Sequence, residues 1–334
     1  MMRRPDILFL TSNLSSFVKG DLQILKRHYP VREIVTGGKP AGNLVQRLSL
    51  GFSILFGIFK ADITFSWFAH NHSYLAVRIS KLLGKKSVVV VGGYEVANEP
   101  DIEYGAIRDP ELAKRVRYIL ENADCILAVS EFSKKEILSV AGPRRIKMVY
   151  NGIDTDVFSP MGQKEEIVLT VCVISAANVR VKGLDTFIEA ARHLPEMRFV
   201  LLGKFFNDVF ETLNLDTPSN LEIITSPSQD ELLQWYRRAK IYCQLSYRES
   251  FGVALAEAMS CECIPVVTDR GALPEVVGDV GFVVPYGDAQ ATVDAISKAL
   301  TSDIGSATRE RVREAFSVER RAVELHRIIA SLQS

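Results

Sequence analysis

The sequence predicts two doubly wound α/β domains in tandem, each a parallel sheet wrapped by helices. Three observations predict it. Short apolar runs alternate with stretches of helical spacing through the first half, and the same alternation restarts after residue 160. The two halves meet at a short Pro/Gly/polar stretch, Phe158-Ser159-Pro160-Met161-Gly162-Gln163. A strand covered by helices on both faces has no polar side to show, so it reads as a nearly continuous apolar run.

In the first half, strands are predicted at Asp6–Thr11, Val31–Val35, Asp62–Trp67, Lys86–Val91, Asp124–Val129 and Ile146–Tyr150. Leu75, Val77, Ile79, Leu82 and Leu83 mark one of the helices between them. In the second half, strands are predicted at Ile167–Ile174, Arg198–Leu202, Leu221–Ile224, Ile241–Leu245, Cys263–Val267 and Gly281–Val284, with a helix at Leu184–His193. From Val318 to Leu332 the pattern is one amphipathic helix. The predicted domains are therefore 1–158 and 159–316, followed by a helix over 317–334 that crosses back to the first domain.

The apolar run at the N-terminus stops at Thr11-Ser12-Asn13, which suits a first strand better than a signal peptide. The most apolar window, Leu48 to Phe59, is broken by Gly51, Ser53 and Gly57. It falls short of the ~20 residues that span a bilayer. Its first reading is a buried helix packed on a sheet. Its second is a helix that dips into a membrane surface, flanked by Arg47 and Lys60.

Forty Lys+Arg balance forty Asp+Glu. A chain of zero net charge lacks the basic excess that a general nucleic-acid binder needs, so no nucleic-acid partner is expected. Five cysteines in 334 residues are an odd, sparse set, which argues against a disulfide framework. They point to a reducing, cytoplasmic compartment, at the inner membrane face if the Leu48–Phe59 helix meets lipid. No Gly-x-Gly-x-x-Gly follows the first strand, which argues against a dinucleotide-dependent oxidoreductase.

Candidate chemistry concentrates in the second half. The strand Ile241–Leu245 runs into a loop at Tyr247-Arg248-Glu249, then into a helix opening at Phe251-Gly252-Val253. A helix N-terminus offers free N–H groups and a positive dipole end, which suit a diphosphate. Glu257 follows Glu249 by eight positions, well inside that helix. Arg180-Val181-Lys182-Gly183 follows the first strand of the second half, where a lysine can reach a phosphate as a point charge. Gly203 follows the next strand, and Thr225 follows the one after. In the first half, Lys19-Gly20-Asp21 lies beyond the first strand, where Gly20 either lets backbone approach a ligand or begins a helix. His70 and His72 flank Asn71 beyond the third strand, without a third ligand for zinc. Asn151-Gly152-Ile153-Asp154 forms a turn before the break.

Taken together, Asn151-Gly152-Ile153-Asp154 with Phe158, Lys182-Gly183 with Asp185, the Glu249–Glu257 pair and the following EAMSCECIPVVTDRGALPEVV resemble the retaining glycosyltransferases of family four. That resemblance implies the GT-B fold, two Rossmann-like domains with parallel sheets facing a cleft. It implies a metal-independent transfer of a sugar from a nucleotide diphosphate donor (a UDP-, GDP- or ADP-sugar) to an acceptor hydroxyl, with no further cofactor. Glu257 would hold the ribose, Glu249 a hydroxyl of the sugar, and the backbone at Phe251, Gly252 and Val253 the diphosphate. Lys182 would neutralise the departing diphosphate, and the base would sit near Thr225. Two departures stand out. Ala176 occupies the place of the family's usual arginine, so Arg180 is the candidate substitute. Gly92-Gly93-Tyr94-Glu95 replaces a loop that often carries a histidine, and Glu95 there reads as a solvent-facing residue or an acceptor contact. The alternatives are a non-catalytic partner subunit of a glycosyltransferase, or another GT-B enzyme such as a sugar-nucleotide epimerase.

Overall fold

The computed structural model describes residues 3–37, 44–175, 179–205 and 216–333. Two compact units emerge: Met1–Gly152 together with Val318–Ser334, and Ile153–Ser317.

The first unit is built on a six-stranded sheet ordered β2-β1-β3-β4-β5-β6. The strands are β1 (Ile7–Thr11), β2 (Val31–Val35), β3 (Ile63–Trp67), β4 (Lys86–Val91), β5 (Cys125–Ala128) and β6 (Ile146–Met148). Each pairing is parallel. The central strands β1, β3 and β5 are buried along their whole length, whereas β2 and β6 at the edges are partly exposed. This is why the central strands read as unbroken apolar runs.

The second unit repeats the plan with β7 (Glu165–Ile174), β8 (Arg198–Phe205), β9 (Leu221–Thr225), β10 (Ala239–Gln244), β11 (Ile264–Thr268) and β12 (Phe282–Val284). Their order is β12-β11-β10-β7-β8-β9, again parallel throughout. The chain moves outward from β7 to β9, then returns to build the other half from β10. The order reverses between β7 and β10, which makes their carboxyl ends the place where doubly wound sheets bind ligands.

The division between units falls six residues before the predicted one, after Gly152. The segment following it is bound into the second unit by two arginines. Arg309 donates to the carbonyls of Thr155, Phe158 and Ser260, and Arg237 to that of Ser159. The C-terminal helix Val318–Ser331 belongs to the first unit, and a buried charge explains its docking. Arg321, 3% exposed, forms a bidentate pair with Asp21, 0% exposed, on the helix Ser16–His28. Its remaining donors reach the carbonyls of Val149 and Tyr150, and Asp21 also accepts from the indole N–H of Trp67. A buried charge is tolerated only when every partner is present.

The window Leu48 to Phe59 forms part of the helix Leu44–Lys60. Only one face of it is buried, contrary to the first reading. Ile54 and Ile58 pack on Leu8 and Leu10, while Phe52, Leu55, Phe56 and Phe59 stand 44–70% exposed. No described helix is long and apolar enough to cross a membrane.

Truncating Arg321→Ala strands Asp21 without its countercharge and is expected to destabilise the first unit by ~3–5 kcal/mol. Truncating the exposed Arg327→Ala, whose pair with Glu324 is solvated, should cost no more than ~0.5 kcal/mol. Urea unfolding of both variants checks the contrast.

Candidate active site

Two loops converge at the β7/β10 reversal. The first leaves β7 and forms the one-turn helix Val179–Lys182, closed by Gly183 in the left-handed region at φ +61°. A Cβ on Gly183 would stand 1.9 Å from the carbonyl oxygen of Leu245. Only glycine therefore lets this loop lie against the end of β10, where Tyr247 N–H donates to the Val181 carbonyl at 2.9 Å. The second loop, 245–252, carries Glu249. Its backbone is held by Ala272 N–H, which donates to the Glu249 carbonyl at 2.9 Å. Gly271, at φ +63°, makes room, since a Cβ there would lie 2.3 Å from that same oxygen.

With both backbones fixed, the side chains meet. Lys182 Nζ donates to Glu249 Oε1 at 2.6 Å, with the side chains 23% and 18% exposed. The same oxygen accepts from Gln244 Nε2 at 3.1 Å and Ser246 Oγ at 3.2 Å. Gln244 is itself oriented by the hydroxyl of Tyr242. The pair is anchored from the strand side and reachable from solvent.

The helix Val253–Ser260 begins beside this loop, with Gly252 at φ +90° preceding it. The N–H groups of Val253, Ala254 and Leu255 have no carbonyl of their own helix ahead of them. Phe251 is buried against Phe316, ring centroids 5.3 Å apart, which fixes the entry into the helix. Glu257 lies on the same helix and is buried. Burial pushes its carboxyl up to about 8, partly opposed by the Tyr236 hydroxyl that donates to Oε2 at 3.3 Å. Near neutral pH this side chain is mostly uncharged.

The other candidates fall as follows. Arg180 sits on the one-turn helix, exposed and in no ion pair among the described residues, while its carbonyl accepts from Tyr286 Oη at 2.7 Å. Ala176 lies outside the described residues. Gly203 is inside β8, which runs on to Phe205 rather than stopping at Leu202. Its bareness answers a strand neighbour, since a Cβ would meet the Cys172 carbonyl oxygen at 1.8 Å. Thr225, exposed, ends β9 in register with Gly203. Gly20 belongs to the other unit. It lies in the second turn of the helix Ser16–His28 with open space around it, so the loop after β1 ends before it.

Several residues escaped the sequence reading. Gln244, Ser246 and Tyr236 looked like ordinary strand, loop and helix residues, and only the fold brings them to the two glutamates. Gly271 had a signal in Asp269-Arg270-Gly271, a turn-like triplet. Glu95 is neither solvent-facing nor free for an acceptor. It is 1% exposed and accepts from the N–H groups of Ala69, Gly92 and Gly93 at 2.8–3.0 Å. It organises the loop after β4.

That loop borders a cavity of about 620 Å³ within the first unit, at the carboxyl end of its sheet. Asn13, His70, His72 and Arg115 supply its polar wall, Leu50 and Ile54 part of its apolar one. His72 Nε2 bonds the Trp67 carbonyl at 2.8 Å, and burial lowers the ring to about 4, so it is neutral at physiological pH. Phe68, between Trp67 and the histidines, holds φ at +69°, an uncommon conformation for a bulky residue. Among the described residues, no group of three or more His, Cys, Asp or Glu is placed to hold a metal ion.

The profile of the family "Glycosyl transferases group 1" matches residues 161–316, and that of "Glycosyltransferase Family 4" matches residues 18–157. The chain belongs to the glycosyltransferases of family four. Among its relatives, N-acetyl-alpha-D-glucosaminyl L-malate synthase of Bacillus anthracis is 28% identical over 279 residues, covering 78% of this chain and 72% of that protein. D-inositol 3-phosphate glycosyltransferase of Mycobacteroides abscessus is 27% identical over 221 residues, 59% of this chain and 49% of that one. The match thus spans about half the length of the mycobacterial relative. Among solved structures, Anabaena HepE in complex with UDP and glucose superposes with a TM-score of 0.80 at 16% identity, over 98% of this chain and 100% of that one. Sucrose-phosphate synthase from Thermosynechococcus elongatus gives 0.77 at 18% identity, over 98% and 99%. The family-four chain has the GT-B fold.

Glu257 titrates near 4.5 when unfolded and about 8 when folded. The folded state therefore binds the extra proton, and the associated stability is complete below about 4.5 and lost as pH rises through 8. Relative to Glu257→Gln, the wild-type melting temperature should fall steadily across that window. Gly183→Ala forces a left-handed residue and a clash with Leu245, and should cost more than ~1 kcal/mol. Chemical denaturation measures it.

Proposed function

We propose that this chain is a retaining, metal-independent glycosyltransferase that moves a sugar from a nucleotide diphosphate donor to an acceptor hydroxyl. The observation that carries the reading is the Lys182–Glu249 pair at the β7/β10 reversal, set beside a helix N-terminus with a buried Glu257 on the same helix. Family membership supports the reaction class. HepE, of the same fold, has been solved with UDP and with UDP-glucose, which supports a uridine donor.

In this reading the diphosphate lies against the N–H groups at Gly252 and Val253, where the helix dipole favours an anion. Lys182 moves from Glu249 onto the diphosphate, and exposed Arg180 takes the part for which Ala176 is unsuited. Freed of the lysine, Glu249 accepts from a hydroxyl of the sugar, still held by Gln244 and Ser246. As the glycosidic C–O bond breaks, negative charge grows on the leaving phosphate, and Lys182 with the helix end stabilises it. The acceptor attacks from the same face, and its proton passes to the leaving phosphate. No side-chain nucleophile is needed, because catalysis rests on positioning and charge. Glu257 accepts from the ribose diol, and Thr225 with Gly203 borders the base.

The first test is a thermal-shift panel of UDP-, GDP- and ADP-sugars with a chelator present. Stabilisation by one base names the donor, and stabilisation by none counts against the donor site. Products of a turnover reaction, read by NMR, separate a retained glycosidic linkage from an epimerised donor. Turnover that appears only with a second protein would favour the partner-subunit alternative.

A ribose diol prefers an ionised acceptor, so donor binding must remove the proton from Glu257. Affinity for the sugar nucleotide should rise toward tenfold per pH unit below about 8 and level off above it. Glu257→Gln should bind ~10–100-fold more weakly than wild type at pH 9, the value of hydrogen bonds to a charged group, and lose the pH dependence. Calorimetric titration across the range measures both.

A further inference from the structure

The helix Leu44–Lys60 has two apolar faces, and only one is accounted for by the fold. Ile54 and Ile58 face β1 and the neighbouring helix Asn71–Leu82. On the opposite side Phe52, Leu55, Phe56 and Phe59 recur at i, i+3, i+4 and i+7, forming one stripe. Their exposures are 68%, 44%, 57% and 70%. Three phenylalanines and a leucine in one contiguous row make a patch of the kind that marks an interaction surface.

The charge around the stripe narrows the partner. The helix contains no acidic residue, and its two charged residues, Arg47 and Lys60, are both basic. Lys60 Nζ lies 4.2 Å from the Phe56 ring centroid, at the end of the stripe. Lys60 and Arg32 border one cleft beside Gly57, and neither enters an ion pair among the described residues. Parallel pairing of Ile63 with Lys86 puts the turns before β3 and β4 on the same edge of the sheet. That edge carries Leu82, 82% exposed, and Leu83, with Lys81, Lys85 and Lys86 around them. Of the acids nearby, Asp6 is paired with Arg3, Glu33 with Lys26 and Asp124 with Lys86, while Asp62 accepts from the Asp6 N–H and has no cation partner among the described residues.

We propose that this face docks on an anionic lipid bilayer, with the aromatic stripe inserted at the headgroup–acyl boundary and Lys60 and Arg32 meeting lipid phosphates. Apolar rings insert where chain and headgroup meet, and cations beside them find the negative surface potential. The inner side of the same helix lends Leu50, Gly51 and Ile54 to the first unit's cavity. A docked helix thus forms a wall between that cavity and the membrane. This extends the glycosyl-transfer reading to a lipid acceptor, and that extension alone rests on it.

The test is sedimentation of the full chain with vesicles of phosphatidylcholine, with and without phosphatidylglycerol, in the absence of donor. Binding to the anionic vesicles is expected, with abolition by the double variant Phe56→Glu, Phe59→Glu. Lys60→Ala and Arg32→Ala should each weaken the anionic binding about fivefold. Both aromatic rings are exposed, so the fold should survive, and the melting temperature checks it. Should it fall, hydrogen exchange of the wild type reports instead, with protection over 52–60 when vesicles are added. No sedimentation with either vesicle overturns the proposal. So does binding that the double variant leaves unchanged, or a dimer in sedimentation velocity that the variant dissociates, which would assign the stripe to a second copy. Because no donor is present, these outcomes are independent of the transferase reading. Transfer to a lipid-borne hydroxyl, assayed separately with the vesicles, tests the acceptor extension.

Discussion

At the carboxyl end of the second sheet two loops approach more closely than a methyl group allows, and the candidate site depends on that approach. Gly183 against the Leu245 carbonyl brings Lys182 to the end of β10. Gly271 against the Glu249 carbonyl turns the partner loop to meet it. Neither contact involves the side chains of Lys182 and Glu249 directly. The backbones are fixed first, and a lysine and a glutamate of ordinary flexibility then meet at 2.6 Å. Strand order determines where this can happen. Only at the reversal between β7 and β10 do two adjacent strands send their loops apart and leave a crevice between them.

The molecule holds two ion pairs of opposite character. Asp21–Arg321 is sealed, with side chains 0% and 2% exposed, and is surrounded by the Trp67 indole and two carbonyls. Its members have nowhere else to go, and the pair works as a joint for the C-terminal helix. Lys182–Glu249 keeps about a fifth of each side chain open. Solvent screens it, so exchanging one partner for a phosphate is inexpensive. Burial also keeps Glu257 uncharged near neutral pH. The free site therefore holds a balanced pair, a helix N-terminus and a neutral carboxyl, with Glu249 already paired with Lys182.

Much of this was legible in the sequence, for a physical reason. Strands buried on both faces admit few polar residues, so β1, β3, β4 and β10 stand out as apolar runs, and their bounds fall within a residue or two of the reading. What failed was whatever depends on distant partners. β7 begins two residues early at Glu165, whose charge hides a strand end that Arg238 pairs with. Gly203 read as a loop residue because glycine is rare inside strands, yet the Cys172 carbonyl demands it there. Glu95 read as a surface charge, since nothing local announces three N–H groups converging on it. The candidate glutamates Glu249 and Glu257 stood out by their place in the family motif. Their supports, Gln244, Ser246 and Tyr236, have no spacing of their own.

The helix Leu44–Lys60 shows the limit of periodicity more sharply. An apolar stripe at helical spacing normally reports which side faces the core. When both sides are apolar, the pattern reports only that the helix is not free in water, and a choice between core and membrane is undecided. Length decides against spanning, and packing decides which face the sheet uses. Leu8 and Leu10 take Ile54 and Ile58, and Gly57 lies so close to Leu8 that a Cβ there would come within 2.9 Å. The inner face is therefore shaped for its neighbours down to a missing methyl. The outer face has larger side chains, no acid and 44–70% exposure, so the sheet does not require them. Changing the outer rings should thus leave the core untouched, and the two faces can serve separate ends on one helix.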